Sequence, residues 1–171
     1  MQKLPFFQRP FRFEYYNAAL ILIGVNVLVF LVGMVAPSIL NRLALIPAAV
    51  IVEKWIWQPF TYMFVHGGTW HLIFNMLGLF FFGVQLERRI GSHEFLLFYL
   101  LSGTLAGLLS FLVYILTGTY NVALVGASGA VFAILLAFAT YFPTANIFLF
   151  GILPIRAPIL VVGYAALELF N

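Results

Sequence analysis

The sequence has no cysteine and no aspartate. Without cysteine, disulfide bonds, zinc–thiolate sites and cysteine nucleophiles are excluded. Without aspartate, a pair of catalytic aspartates and a Ser-His-Asp triad are excluded too. A zinc site of the H-E-x-x-H type is also absent, because the pair His93-Glu94 is followed by Phe-Leu-Leu. We therefore expect no metal and no cofactor.

Charge is scarce as well. Only 8% of the residues are charged and 64% are hydrophobic, whereas a soluble domain has about 25% charged residues. With a mean hydropathy of +1.11, the chain cannot cover a water-facing surface, which indicates an integral membrane protein. The net charge of +3 is spread along the chain without forming a patch, so no nucleic-acid partner is expected.

The few charges divide the chain into apolar runs, and a helix needs about 20 apolar residues to cross the bilayer core. The spacing predicts spans over residues 17–36, 69–86, 95–116 and 124–142. A fifth run starts near Ala157 and reaches Asn171 after 15 residues, which is about 22 Å of helix against a core of about 30 Å. We therefore expect residues 1–171 to be one polytopic all-α membrane domain that is truncated at its C-terminus.

The distribution of lysine and arginine predicts the orientation. If the N-terminus is cytoplasmic, six basic residues lie inside and two lie outside, in agreement with the positive-inside rule. The long segment 37–68 is then external. Its aromatic residues, which include Trp55, Trp57, Phe60 and Tyr62, predict a position at the edge of the outer leaflet.

Polar side chains on two spans are expected to meet near this outer end. Ser128 should lie about one turn into the fourth span, and His71 lies near the start of the second. Asn75 follows His71 by four residues and therefore shares its helix face. His66 comes just before this span, whereas His93 is expected about 30 Å away at the inner end. Polar groups in a membrane are costly and tend to mark functional sites.

Each of these features also has a plain packing interpretation. The small residues around Ser128 could simply allow close helix contact, as in small-xxx-small motifs. Gly103 and Gly107 form such a GxxxG contact and suggest no further function. Glu87 and Arg89 are expected to form an ion pair at the membrane interface.

Three motifs, taken in order, resemble the rhomboid family of intramembrane serine proteases. The stretch "WQPFTYMFVHGGTWHLIFNMLG" is similar to the family's Trp-Arg pair, Thr, first His and His-x-x-x-Asn pattern. "LERRIG" is similar to the Glu-x-Arg-x-Gly that follows the second span, and "GASGA" to the Gly-x-Ser-Gly of the fourth. The chain departs from this pattern at Gln58, where the family usually has Arg, and the change could alter how the loop is anchored or how it contacts lipid, although the position is not a catalytic one.

The resemblance implies a role for each site residue. Ser128 is the expected nucleophile, and His71 and Asn75 are expected in the oxyanion hole together with the Ser128 backbone N–H. Gly126 should keep the approach to the serine open, and His66 should support the loop. The base of the Ser-His dyad is a histidine on a sixth span, which this chain lacks, so the fragment is expected to be inactive by itself.

The same resemblance predicts the partners, which are transmembrane protein substrates and the lipid bilayer. The short N-terminal tail suggests a bacterial plasma membrane. The alternative is a non-proteolytic rhomboid-like protein that binds transmembrane clients, although such proteins usually lose the serine or the histidine. A transporter or channel is disfavoured because no charge lies between Glu94 and Arg156. Nothing in the sequence indicates the oligomeric state.

Overall fold

The computed structural model describes residues 13–149, 153–156, 159 and 161–163. The helices in chain order are α1 (Ala18–Val35), α2 (Pro37–Leu43), α3 (Pro47–Val52), α4 (Gln58–Thr61), α5 (Thr69–Gly78), α6 (Val84–Ile90), α7 (Ser92–Leu116) and α8 (Ser128–Tyr141). A 3-10 turn over Tyr62–Phe64 follows α4, and a π-helical turn over Leu79–Gly83 joins α5 to α6. Strands β1 (Asn146–Leu149) and β2 (Leu153–Arg156) form an antiparallel pair after α8.

Three helices in the described part of the chain are long and apolar enough to cross a membrane. They are α1, the continuous Thr69–Ile90 helix that contains α5 and α6, and α7. Their outer faces expose large aliphatic side chains such as Leu28 (61% exposed) and Leu105 (64% exposed), which suits contact with lipid. The protein is therefore an integral, multi-pass membrane protein, and the predicted all-α bundle is confirmed. Most of the predicted fifth span lies outside the described residues.

The start of α1 is fixed by a carboxylate from a distant part of the chain. Glu87 is fully buried and accepts hydrogen bonds from the backbone N–H groups of Ala18 (2.6 Å) and Ala19 (3.0 Å). It also accepts a hydrogen bond from the hydroxyl of Ser92. The first N–H groups of a helix have no partner within the helix, and the helix dipole favours an anion there. The predicted ion pair between Glu87 and Arg89 is therefore wrong, because the backbone amides of α1 hold the carboxylate.

The segment between α1 and α5, residues 36–68, is called the α1–α5 loop from here on. It consists of short helices, two of which begin with a proline at the first helical position, Pro37 and Pro47. Proline suits that position because the missing N–H has no helical partner to lose. The loop also contains Trp55 and Trp57, whose rings stack with centroids 6.1 Å apart.

The second and third membrane helices meet at a tight turn. The predicted second span ends at Leu86, but the helix continues to Ile90, and α7 begins at Ser92. Gly91 separates the two helices with a φ of +96°, a backbone conformation that side chains disfavour. The glycine therefore allows the two helices to follow each other with one residue between them.

The GxxxG contact predicted on α7 is confirmed, and its partners are now identified. Gly103 and Gly107 are both buried. A methyl group on Gly107 would overlap the Tyr62 ring, and one on Gly103 would lie 3.3 Å from the Cβ of Ala130 in α8. The small-residue face of α7 therefore packs against the α1–α5 loop as well as against α8.

Candidate active site

The extended linker before α8, residues 120–127, is held by backbone hydrogen bonds to the α1–α5 loop. Leu124 and Leu45 exchange both of their N–H···O=C bonds, at 2.9 and 3.0 Å. Ala48 N–H donates to the Tyr120 carbonyl at 2.9 Å, and Gly126 N–H donates to the Tyr62 carbonyl at 3.1 Å. The loop therefore fixes the path of the chain up to the start of α8.

Ser128 is the first residue of α8, which corrects the predicted boundary. The sequence predicts a span from Leu124 with the serine about one turn inside it. The helix starts later because Leu124 is paired with Leu45, and because Gly126 has a φ of +117° that no α-helix contains. Because Ser128 is the first residue of this 14-residue helix, its hydroxyl lies at the N-terminal end. The residue is half-buried.

His71 and Asn75 lie on one face of α5. The Asn75 side-chain amide donates to the backbone carbonyl of His71 at 2.9 Å, as expected for residues four apart on a helix. Asn75 is fully buried and His71 is half-buried. The asparagine side chain therefore lies inside the bundle, whereas His71 as a whole residue is partly exposed.

Gly126 lies next to side chains from both helices of the site, α5 and α8. A methyl group on Gly126 would lie 2.6 Å from both Cε1 and Nε2 of His71, and 3.7 Å from Oγ of Ser128. The imidazole of α5 and the hydroxyl of α8 therefore lie within 3.7 Å of a single point. A side chain at residue 126 would collide with the imidazole, since contacts below about 3 Å are too short for carbon atoms.

The His66 ring packs against the His71 ring. Its ring is buried, and the two ring centroids are 5.2 Å apart in an edge-on arrangement. Burial, followed by the neighbouring His71, lowers the pKa of His66 from 6.5 to about 4. His66 is therefore neutral at pH 7 and adds no charge beside the imidazole of α5.

His93 lies with residues near the start of α1 instead. Its Nε2 is 3.2 Å from a carboxylate oxygen of Glu14, and its ring packs edge-on against Tyr16. These contacts agree with its expected separation from the serine. Within the described ranges, no group of three or more His, Cys, Asp or Glu side chains could hold a metal ion.

Tyr62 is a supporting residue that the sequence did not single out for this role. Its carbonyl accepts from Gly126 N–H, and its hydroxyl donates to the Gly103 carbonyl of α7 at 2.8 Å. Burial raises the pKa of its hydroxyl to about 12, which keeps it a hydrogen-bond donor. The sequence shows Tyr62 only as one of several aromatic residues of the loop, and no local pattern indicates a contact 41 residues away.

Comparison with known proteins gives a family match over most of the chain. A family model described as the Rhomboid domain matches residues 53–171. "RHOMBOID-like protein 1" of Arabidopsis thaliana is 36% identical over 99 residues, which cover 56% of this chain and 24% of that protein. "Rhomboid protease GluP" of Bacillus subtilis is 38% identical over 87 residues (51% and 16%). "Rhomboid protease GlpG" of Haemophilus influenzae is 29% identical over 89 residues (52% and 43%). The chain thus spans less than half the length of each of these relatives.

Proposed function

Because the chain belongs to the rhomboid family, we propose that it carries the nucleophile and the oxyanion donors of an intramembrane serine endopeptidase. The proposed substrates are transmembrane segments of other membrane proteins. Two of the relatives are named rhomboid proteases, which supports this class of reaction. The observation that carries the proposal is the position of Gly126, next to which lie both the His71 imidazole and the Ser128 hydroxyl.

In the proposed reaction, Oγ of Ser128 attacks the carbonyl carbon of a substrate peptide bond. A base takes the hydroxyl proton, and the carbonyl oxygen becomes a negatively charged oxyanion. When the tetrahedral intermediate collapses, the C–N bond breaks and the protonated base returns the proton to the leaving amine. Water then hydrolyses the acyl-enzyme ester by the same steps and regenerates the serine.

Three N–H donors are proposed for the oxyanion. They are the side-chain amide of Asn75, the imidazole of His71 and the backbone N–H of Ser128. The last is one of the first N–H groups of α8, which have no partner within the helix and lie at its positive end. Preorganised donors of this kind contribute about 10²–10³ in rate each. Asparagine and backbone donors do so without placing a charge in the membrane.

The proton acceptor is assigned to a histidine on a further span, as the family resemblance implies. Of the histidines in the described residues, His93 is bound to Glu14, and His66 is buried behind His71. His71 is assigned to the oxyanion. Activity is therefore expected of the full-length protein.

Hydrolysis also needs water at the serine. Ser128 and His71 are both half-buried rather than sealed in the core. The α8 helix has 14 residues, which is about 21 Å of rise against a hydrocarbon core of about 30 Å. We infer that water reaches the hydroxyl at the N-terminal end of this short helix. The bacterial plasma membrane stays a prediction, since relatives occur in plants as well as bacteria.

Replacement of Ser128 by Ala tests the nucleophile. In full-length protein in liposomes, Ser128→Ala should lower cleavage of a fluorogenic transmembrane peptide by at least about 10³-fold, as loss of a nucleophile does elsewhere. A fluorophosphonate probe should label the wild type and leave the variant unlabelled. Ser110→Ala on α7 is the matched control, because Ser110 is also half-buried in a membrane helix.

The same assay tests the oxyanion donors. Asn75→Ala and His71→Ala should each lower kcat by about 10²–10³-fold while the protein stays folded. Cleavage by Ser128→Ala at the wild-type rate would exclude Ser128 as the nucleophile. A wild-type protein that binds transmembrane peptides without cleaving or labelling would instead support the non-proteolytic alternative.

A further inference from the structure

Gln58 is a fully buried polar residue that the proposed reaction does not use. Its side-chain oxygen accepts a hydrogen bond from Ile46 N–H at 3.0 Å. Its side-chain nitrogen faces the carbonyls of Asn41 and Arg42, at 3.3 and 3.4 Å. One amide group thus joins α4 to the last turn of α2 and to Ile46, the residue before α3.

Gln58 is hydrogen-bonded to residues 41–46, and this segment is in turn hydrogen-bonded to the linker before α8. Residues 41–46 include Leu45, whose backbone forms both hydrogen bonds to Leu124. Leu124 lies two residues before Gly126, and Gly126 lies next to both His71 and Ser128. The Gln58 amide is therefore connected to the start of α8 in steps: its hydrogen bond to Ile46 N–H, the adjacent Leu45–Leu124 backbone pair, and the three residues of chain between Leu124 and Ser128.

We propose that Gln58 is a positioning residue for Ser128, acting through the Leu45–Leu124 backbone pair. The inference rests on the proposed function, because it concerns the placement of the proposed nucleophile. Gln58 suits this role because a primary amide carries a donor and an acceptor at one end of its side chain. Arginine and lysine donate only, and an ionised glutamate accepts only. The neutral amide thus serves a site that contains two carbonyls and one N–H.

Replacement of Gln58 by Met tests whether the residue positions Ser128 for the reaction or contributes to substrate binding. Methionine has a similar volume and no comparable hydrogen bond, so the partly buried Ile46 N–H loses its acceptor. With the full-length protein and a fluorogenic transmembrane peptide, we expect kcat to fall about tenfold with KM changed by less than about twofold, because small displacements of reacting groups lower the rate steeply. Gln85→Met is the control, since Gln85 is exposed and donates to the Phe81 carbonyl four residues earlier on its own helix.

Hydrogen–deuterium exchange gives a readout that does not depend on proteolysis. In Gln58→Met, the amides of residues 120–127 should exchange at least about tenfold faster, while those of α7 keep their wild-type protection. Gln85→Met should leave both unchanged. Unchanged protection of residues 120–127, or an unchanged kcat, would overturn the inference.

A second variant covers the case in which Gln58→Met does not fold. In Gln58→Glu, a protonated carboxyl can donate and accept as the amide does, whereas the ionised form cannot donate. Burial raises the pKa of a carboxyl, so the ratio of variant to wild-type kcat should rise as the pH falls from 8 to 5. A ratio independent of pH would contradict the proposal. If the wild type neither cleaves nor labels, the proposed function fails, and the exchange data still show whether Gln58 holds the linker.

Discussion

The contact between Glu87 and the start of α1 leads to a quantitative prediction. The carboxylate is fully buried and receives three hydrogen bonds, from the backbone of Ala18 and Ala19 and from the hydroxyl of Ser92. In Glu87→Gln, one oxygen is replaced by an NH₂ group that faces donors. Loss of one hydrogen bond to a charged group costs about 1.5–3 kcal/mol, and loss of the anion at a helix N-terminus costs about 0.3–1 kcal/mol. We therefore expect the free energy of unfolding to fall by about 2–4 kcal/mol.

Glu87→Ala should be more damaging, because it leaves three buried donors without their acceptor, at about 1–3 kcal/mol each before water enters the space. Reversible unfolding in mixed micelles, followed by circular dichroism, measures both variants. Glu53→Gln is the control, because Glu53 is exposed in the α1–α5 loop and surface changes usually stay within about 0.5 kcal/mol. Equal stabilities of Glu87→Gln and Glu53→Gln would refute the capping argument.

Three other positions give predictions of different kinds. Gly107→Ala should destabilise the protein by about 1–3 kcal/mol because the methyl group overlaps the Tyr62 ring, whereas Gly24→Ala, with no atom within 4 Å of the new methyl group, should be neutral or stabilising. His66 has a pKa lowered from 6.5 to about 4, so its protonation favours the unfolded chain. Stability should be full above about pH 6.5 and fall towards pH 4 by about 3 kcal/mol in all, and His66→Gln should flatten this dependence. Gly126→Ala combines a φ of +117° with a collision at the site, and should lower kcat/KM at least about 100-fold in folded protein.

Each of these has a result that would contradict it. Equal unfolding free energies for the alanine variants of Gly107 and Gly24 would show that α7 does not pack closely on the loop. A stability profile that is the same for His66→Gln and the wild type would exclude His66 as the titrating group. Full peptidase activity of Gly126→Ala would mean that the space between the imidazole and the serine is not needed.

The positions of the membrane helices could be predicted from the sequence because the few charges mark their ends. The predicted first span agrees with α1 to within one residue at each end, and the predicted third span ends at Leu116 as observed. The errors lie at ends that are fixed by distant partners. The start of α8 depends on the pairing of Leu124 with Leu45, and no periodicity within the fourth apolar run could indicate a backbone contact with a loop 79 residues earlier.

The candidate site was predictable to the extent that its geometry is local. The spacing of His71 and Asn75 places them on one helix face, and the glycines beside Ser128 indicated open space. The supporting contacts were not predictable in this way. The hydrogen bonds of Gln58 and Tyr62 reach backbone groups rather than complementary side chains, and a backbone carbonyl leaves no mark in the sequence. Glu87 was misassigned for the same reason, since its real partners are amides and a neighbouring arginine was the nearer candidate.

The capping of α1 by Glu87 also has a consequence for how the protein is made. The carboxylate lies 69 residues after the first amide that it binds, and ribosomes add about 5–20 residues per second, so about 3–14 s separate their synthesis. During that interval the leading amides of the first helix depend on water or lipid headgroups for partners. The leading amides of the first helix thus gain their carboxylate partner only after the end of the second membrane helix has been translated.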